Sequence, residues 1–265
     1  MLILLAALSI APVIYMVVSS FKPDERVLAD GSSLLAFVPV EASFENYRDV
    51  FSRVNFARVL FNSIFITGCI VAGGLVVNSF AGYAVARLRW KGREVVLAMV
   101  LALLIIPFEA IAVPLFYQMC LLGWRDSYQV QILPFLADAF SIYLFYSFFI
   151  GMPKELEEAA RIDGAGPVQT FFFIIIPSAK PVFATVAILT FLMRWGTYLW
   201  PLMVTIGEKY RPLPVAMAAF EGQIKLWGDI MAFGVMMVLP ILVVFLLFQR
   251  WFLEGVAATG VGHKE

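Results

Sequence analysis

Six times along this chain the sequence stays apolar for about 20 residues, the length a helix rising ~1.5 Å per residue needs to cross a hydrocarbon core ~30 Å thick. The runs cover residues 1–21, 58–86, 94–118, 129–150, 181–206 and 230–252. A soluble domain of 265 residues cannot bury six such segments, and a composition that is 62% apolar with 25 Phe points the same way. In lipid, backbone groups must be satisfied within each segment, so runs of this length read as helices. The expectation is therefore an all-α, polytopic membrane protein with six transmembrane helices in a single domain over 1–265.

Lys plus Arg and Asp plus Glu both number 19, so total charge points to neither nucleic acid nor anionic lipid. Orientation has to come from local density. Arg87, Arg89, Lys91 and Arg93 crowd one short loop, which the positive-inside rule puts in the cytoplasm; with alternating spans both termini follow it there. The first run lacks a basic leader and an A-x-A site, so it reads as a span and not as a cleaved signal. Cys69 and Cys120 have no motif spacing and behave as small apolar residues, and the single histidine, His263, sits alone in the tail.

Covalent chemistry is hard to find. No G-x-x-x-x-G-K-[ST] phosphate loop, H-E-x-x-H, G-x-S-x-G or Cys/His cluster occurs. The chain therefore reads as a channel, a carrier, a scaffold, or the membrane part of a machine powered by another chain, and not as an enzyme.

One stretch breaks the apolar pattern. "PKELEEAARIDGAG", residues 153–166, carries six charged residues in fourteen. Pro153 suits a helix start, Glu155, Glu157 and Glu158 lie near the positive N-terminal dipole, and Glu157 with Arg161 makes an i, i+4 pair. Leu156, Ala159 and Ala160 share a small-residue face, and Gly164 and Gly166 end the helix. Such a helix can lie on the membrane surface, or it can dock, with small alanines admitting another backbone and rim charges fixing register.

Spacing separates these. "EAARIDG", nine residues, then "IIIP" resembles the cytoplasmic signature of ATP-binding-cassette (ABC) importer permeases, with Glu158, Ala159, Ala160, Gly164, Ile174 and Pro177 in register and Ile176 where leucine is usual. "NSIFITG", "AGYAVARLRWKGR", "IPFEAIAVPLFYQM", "LPVAMAAF" and "QRWFLEGVAATGVG" extend the resemblance to nearly the whole chain. They look like the second permease of carbohydrate importers, the group containing the maltose and glycerol-3-phosphate systems. The resemblance implies a type I importer (MetI-like) fold with a cytoplasmic coupling loop at 151–180. It implies that Glu158, Ala159, Ala160, Asp163 and Gly164 meet an ATPase subunit. It further implies a bacterial or archaeal plasma membrane and, as partners, a second homologous permease, two ATP-binding subunits and an extracytoplasmic solute-binding protein. ATP and Mg would be used by the ATPases, with no cofactor bound by this chain, and the outer loops, 22–57 and 207–229, would meet the binding protein.

Ionisable groups inside spans are expensive and mark pathways or interhelical pairs. Glu109, Asp138 and Arg194 are the candidates, Glu109 with snorkelling as its bland alternative. Arg194 opens an aromatic group with Trp195, Tyr198 and Trp200 that could stack on sugar rings or form an interfacial belt. The family tends to read Trp-Asn where this chain has Trp195-Gly196, and an arginine beside it would also suit a glycerol phosphate or another anion. Asn78, between Gly74 and Gly82, lines a pathway or packs a helix, with a second permease as one candidate neighbour. An ion-coupled secondary carrier, with Glu109 and Asp138 as proton sites, is the alternative from another class, although no internal repeat supports it.

Overall fold

In a computed structural model, residues 2–223 and 226–260 are described; they form helices and turns with no strand among them. His263 lies outside the described residues. Among the described residues, three helices are long and apolar enough to cross a membrane: α4 (Phe56–Arg87), the Tyr128–Ile150 stretch, made of α7 (Tyr128–Ile132), a 3-10 turn and α8 (Ala139–Ile150), and the first part of α15 (Trp227–Gly260), as far as Gln249. Only 17% of the apolar window in that last helix is buried within the chain, so its side chains need lipid or a neighbouring subunit as solvent.

Two bent pairs bring the number of spans to as many as five. α5 (Arg93–Leu103) and α6 (Phe108–Leu121) meet at 106°, and the 167–178 segment meets α12 (Lys180–Trp195) at 79°. The first apolar run yields α1 (Leu2–Ser19), 18 residues with Pro12 inside it.

Besides the interrupted Tyr128–Ile150 stretch, two further expected spans are not single helices. The 94–118 run breaks at Leu104–Pro107, because Pro107 has no N–H to continue the ladder, its ring would clash one turn back, and its backbone is extended (φ −68°, ψ 143°). The 181–206 run breaks after Trp195, and a separate helix, α13 (Leu199–Val204), contains Pro201, whose missing N–H would orphan the Thr197 carbonyl in a continuous helix. Composition alone hid both breaks, since the flanking residues stay apolar.

The chain divides into two compact units. The first, residues 1–64 with 196–243, contains α1, α2 (Asp24–Asp30), α3 (Glu45–Arg53), α13, α14 (Leu213–Gln223) and the ends of two long helices. Its core includes Val50, Val204, Leu213 and Phe233, all at 0% exposure, with Phe56 and Phe220 packed on the Phe233 ring.

The second unit, residues 65–195 with 244–265, packs α4, α8, the 167–178 segment and α12 around Tyr83, Phe145, Phe149, Phe171, Ile175 and Val182. Residues Phe171–Ile175 form a π-helical turn, the register shift that fits Pro177 just beyond it. The small-residue stripe of α4 meets α8 of the same chain: a Cβ on Gly82 would stand 2.6 Å from Phe145 Cβ and 3.0 Å from the Tyr146 nitrogen. A second permease is not what that stripe packs against.

Candidate functional site

The charged stretch forms α9 (Glu155–Ile162), with Glu155, Glu157 and Glu158 in its first turn. It ends in a Schellman motif: the Ala165 N–H donates to the Ala160 carbonyl at 2.9 Å and the Gly164 N–H to the Arg161 carbonyl at 3.1 Å, with Gly164 at φ +83°. Nothing lies within 4 Å of a Cβ built on Gly164, so its requirement is conformational and not steric.

The two faces of α9 differ from the sequence expectation. Ala160 is 2% exposed and turns inward with half-buried Leu156 and Glu157, whereas Glu158, Ala159 and Asp163 are exposed. The alanine pair is therefore split. The outward face also carries Ile162, 87% exposed, an apolar knob among charges that no periodicity singled out.

Glu157 does not pair with Arg161. Its Oε1 takes Arg87 Nε at 2.9 Å, and the same guanidinium donates to the carbonyls of Met152 at 3.0 Å and Pro153 at 3.2 Å. The Arg87 side chain is 4% exposed and that of Glu157 15%, so the last residue of α4 clamps the entry to α9 out of water. Arg87 looked like one of four equivalent loop cations; its partner lies 70 positions away and only the fold reveals it.

The second polar centre lies where the Tyr128–Ile150 span is interrupted. Asn78, 2% exposed, donates from Nδ2 to the Leu136 carbonyl at 3.1 Å and accepts the Asp138 N–H at 2.9 Å. It bridges backbone groups that the break leaves without helical partners, so it holds the break and does not line a path. Asp138 caps α8, its Oδ1 accepting from the Ser141 N–H at 2.9 Å and Oγ at 2.8 Å. Its other oxygen lies 3.7 Å from Arg194 Nη2, and the Arg194 guanidinium sits 4.5 Å from the Phe135 ring centre. Asp138 and Arg194 are thus an interhelical pair, with side chains 25% and 20% exposed.

Other candidates separate. Glu109, exposed in the first turn of α6, belongs to no ion pair among the described residues. Trp195, 2% exposed, stacks on Phe191 at 5.2 Å, and Trp200 is 1% exposed; neither offers an indole face to a sugar or to an interface. Tyr198 remains 42% exposed.

The outer loops, 22–57 and 207–229, are tied down in the first unit. Lys22 Nζ is buried on Asp30 Oδ2 at 3.0 Å and the Leu35 carbonyl at 2.6 Å, and Arg53 meets Asp229 at 2.7 Å. Asn62 in α4 donates to the carbonyls of Lys209 and Arg211, and the Ser63 hydroxyl accepts the Leu213 N–H.

Residues 55–257 match the family described as the binding-protein-dependent transport system inner membrane component. The chain is 34% identical to the arabinooligosaccharides transport system permease protein AraQ of Halalkalibacterium halodurans, over 97% of this chain and 92% of that one. It is also 34% identical to the trehalose/maltose transport system permease protein MalG of Thermococcus litoralis, with the same coverage. Among solved structures, a chain of a bacterial ABC transporter involved in the import of the acidic polysaccharide alginate is similar at a TM-score of 0.84 and 27% identity, over 95% of this chain and 93% of that one.

Proposed function

Because the chain belongs to the inner-membrane components of binding-protein-dependent transport systems, we propose that it is one permease of an ATP-driven importer that moves a carbohydrate across a bacterial or archaeal plasma membrane. The observation that carries this reading is α9: a short amphipathic helix with a charged outward face, clamped by Arg87 at the end of a span and stopped by Gly164. In this reading α9 is the coupling helix. Glu158, Ala159, Asp163 and Gly164 face the ATPase, Ile162 inserts among them, and Ala160 supports the helix from behind. The complex contains six spans in this chain, a homologous permease, two ATP-binding subunits and an extracytoplasmic binding protein, with both termini of this chain in the cytoplasm. ATP and Mg belong to the ATPase subunits, whose closure moves α9 and switches the substrate path between the two sides. This chain makes and breaks no covalent bond.

For the substrate, the Asp138–Arg194 pair favours a neutral oligosaccharide over a glycerol phosphate or another anion. The guanidinium already faces a carboxylate, so an entering anion would have to compete with it. The relatives named for arabinooligosaccharides and for trehalose and maltose agree with that choice.

The test is co-purification from native membranes in mild detergent, comparing wild type with Gly164→Asp. A Cβ at φ +83° strains the helix stop and the added carboxylate changes the charge of the outward face, so the expected result is a second permease and an ATPase in the wild type and loss of the ATPase in the variant. A chain that emerges alone and still transports would overturn the reading and restore the ion-coupled carrier.

A further inference from the structure

The loop that carries the cation cluster does more than mark an orientation. Together with α9 it walls a cleft of about 930 Å³, whose lining includes Arg87, Arg89, Trp90, Arg93, Lys154 and Arg161. Against these five cations stand two lining carboxylates, Glu157 and Glu158, and Glu157 is already engaged by Arg87. Arg89, Arg93, Lys154 and Arg161 make no ion pair among the described residues. A pocket left with this excess of unpaired positive charge attracts an anion.

Where the cleft sits says which anion. It opens at Arg87, the last residue of α4; at Arg93, the first of α5; and at Ile150, the last of α8. Three apolar helices end there, so the cleft lies at the depth where hydrocarbon gives way to headgroups. Trp90 stands in its wall, 40% exposed, with its indole N–H fixed on the Ala84 carbonyl at 3.0 Å, while Ile150 in the same lining leaves apolar surface, 49% exposed. An indole at the interface, apolar flanks and unpaired cations above them together suit a phosphodiester headgroup with its acyl chains running down the helices.

We propose that this cleft binds the phosphate of an anionic phospholipid, and that the bound headgroup braces α9 against the bilayer surface. The binding half stands on the cleft itself. The bracing half rests on the reading of α9 as the coupling helix.

The test places the purified transporter, with its partner subunits, in nanodiscs of phosphatidylcholine alone or of equal parts phosphatidylcholine and phosphatidylglycerol. Native mass spectrometry then counts the lipid retained, with coupled ATP hydrolysis measured alongside. The variant is Arg89→Gln with Lys154→Gln, two exposed side chains outside the Arg87 clamp. The wild type should retain phosphatidylglycerol preferentially and hydrolyse ATP faster with it. Each charge removed should weaken retention roughly fivefold, and the variant should lose the lipid preference of its hydrolysis. Equal retention by wild type and variant would overturn the site. A variant that sheds the ATPase but keeps its lipid would overturn it in favour of an acidic protein surface, and displacement of the lipid by inorganic phosphate would overturn the lipid as occupant in favour of a soluble anion. A wild type that retains the lipid but purifies without an ATPase sinks the importer reading and leaves the lipid site standing.

Discussion

Two charged pairs in the second unit lie in the same framework of α4, α8 and their neighbours, yet they are built to opposite specifications. Arg87–Glu157 is short at 2.9 Å, supported by two backbone carbonyls, and has side chains only 4% and 15% exposed. Asp138–Arg194 is long at 3.7 Å, single, and 25% and 20% exposed. A hydrogen-bonded pair shielded from water is costly to break, whereas a loose and partly open one exchanges partners at small cost. The first is a fixture between span and loop helix; the second can respond to what enters beside it.

Removing one side of the fixture should do the most damage. Arg87→Ala leaves Glu157 and two carbonyls short of donors, an expected loss of about 3 kcal/mol, read as a lower unfolding temperature of the purified complex together with a fall in transported solute per ATP. If Arg87→Ala unfolds like the wild type, the two pairs do not differ in kind.

An intermediate effect belongs to Asn78, which reaches the looser pair through the backbone of the break. Asn78→Ala removes one donor and one acceptor from buried partners and should cost about 2 kcal/mol in thermal stability. A change under about 0.5 kcal/mol would mean that water replaces the amide at the break.

The smallest stability effect, and the sharpest functional one, is expected from Asp138→Asn. Asparagine keeps the α8 cap, so stability should move by less than about 1 kcal/mol. Arg194 loses its counter-charge, and uptake in proteoliposomes should shift toward anionic sugars relative to neutral ones. Unchanged selectivity would remove this pair from the substrate path.

The contrast also explains what could be read in advance. The loop helix was legible because its information is local: charges, alanines, Gly164 and Pro177 lie within one short window. The clamp was not, because Arg87 and Glu157 meet across 70 residues, and four neighbouring cations looked alike. Trp195 and Trp200 were read by chemical type as sugar-stacking or interfacial, but which way a ring turns is a packing decision, and both turn inward. Apolar content located the membrane segments but not their breaks, which depend on single residues such as Pro107 and Pro201 whose neighbours remain equally apolar. Membership of a transport family followed from motif spacing, which survives errors in helix count.

The elbow between α5 and α6 has a consequence for hydration. Its residues leave the helix at Leu104–Pro107, with Ile105 84% exposed and the Leu104 and Ile105 N–H groups tied back to the Leu101 and Ala102 carbonyls in tight turns before the backbone turns extended at Pro107. Hydrocarbon does not tolerate uncovered, non-helical backbone. The elbow must therefore sit at a wet boundary or beneath a neighbouring subunit, and measuring solvent deuterium uptake at Ile105 and Ile106 before and after assembly would locate the shoreline of the bilayer on this protein.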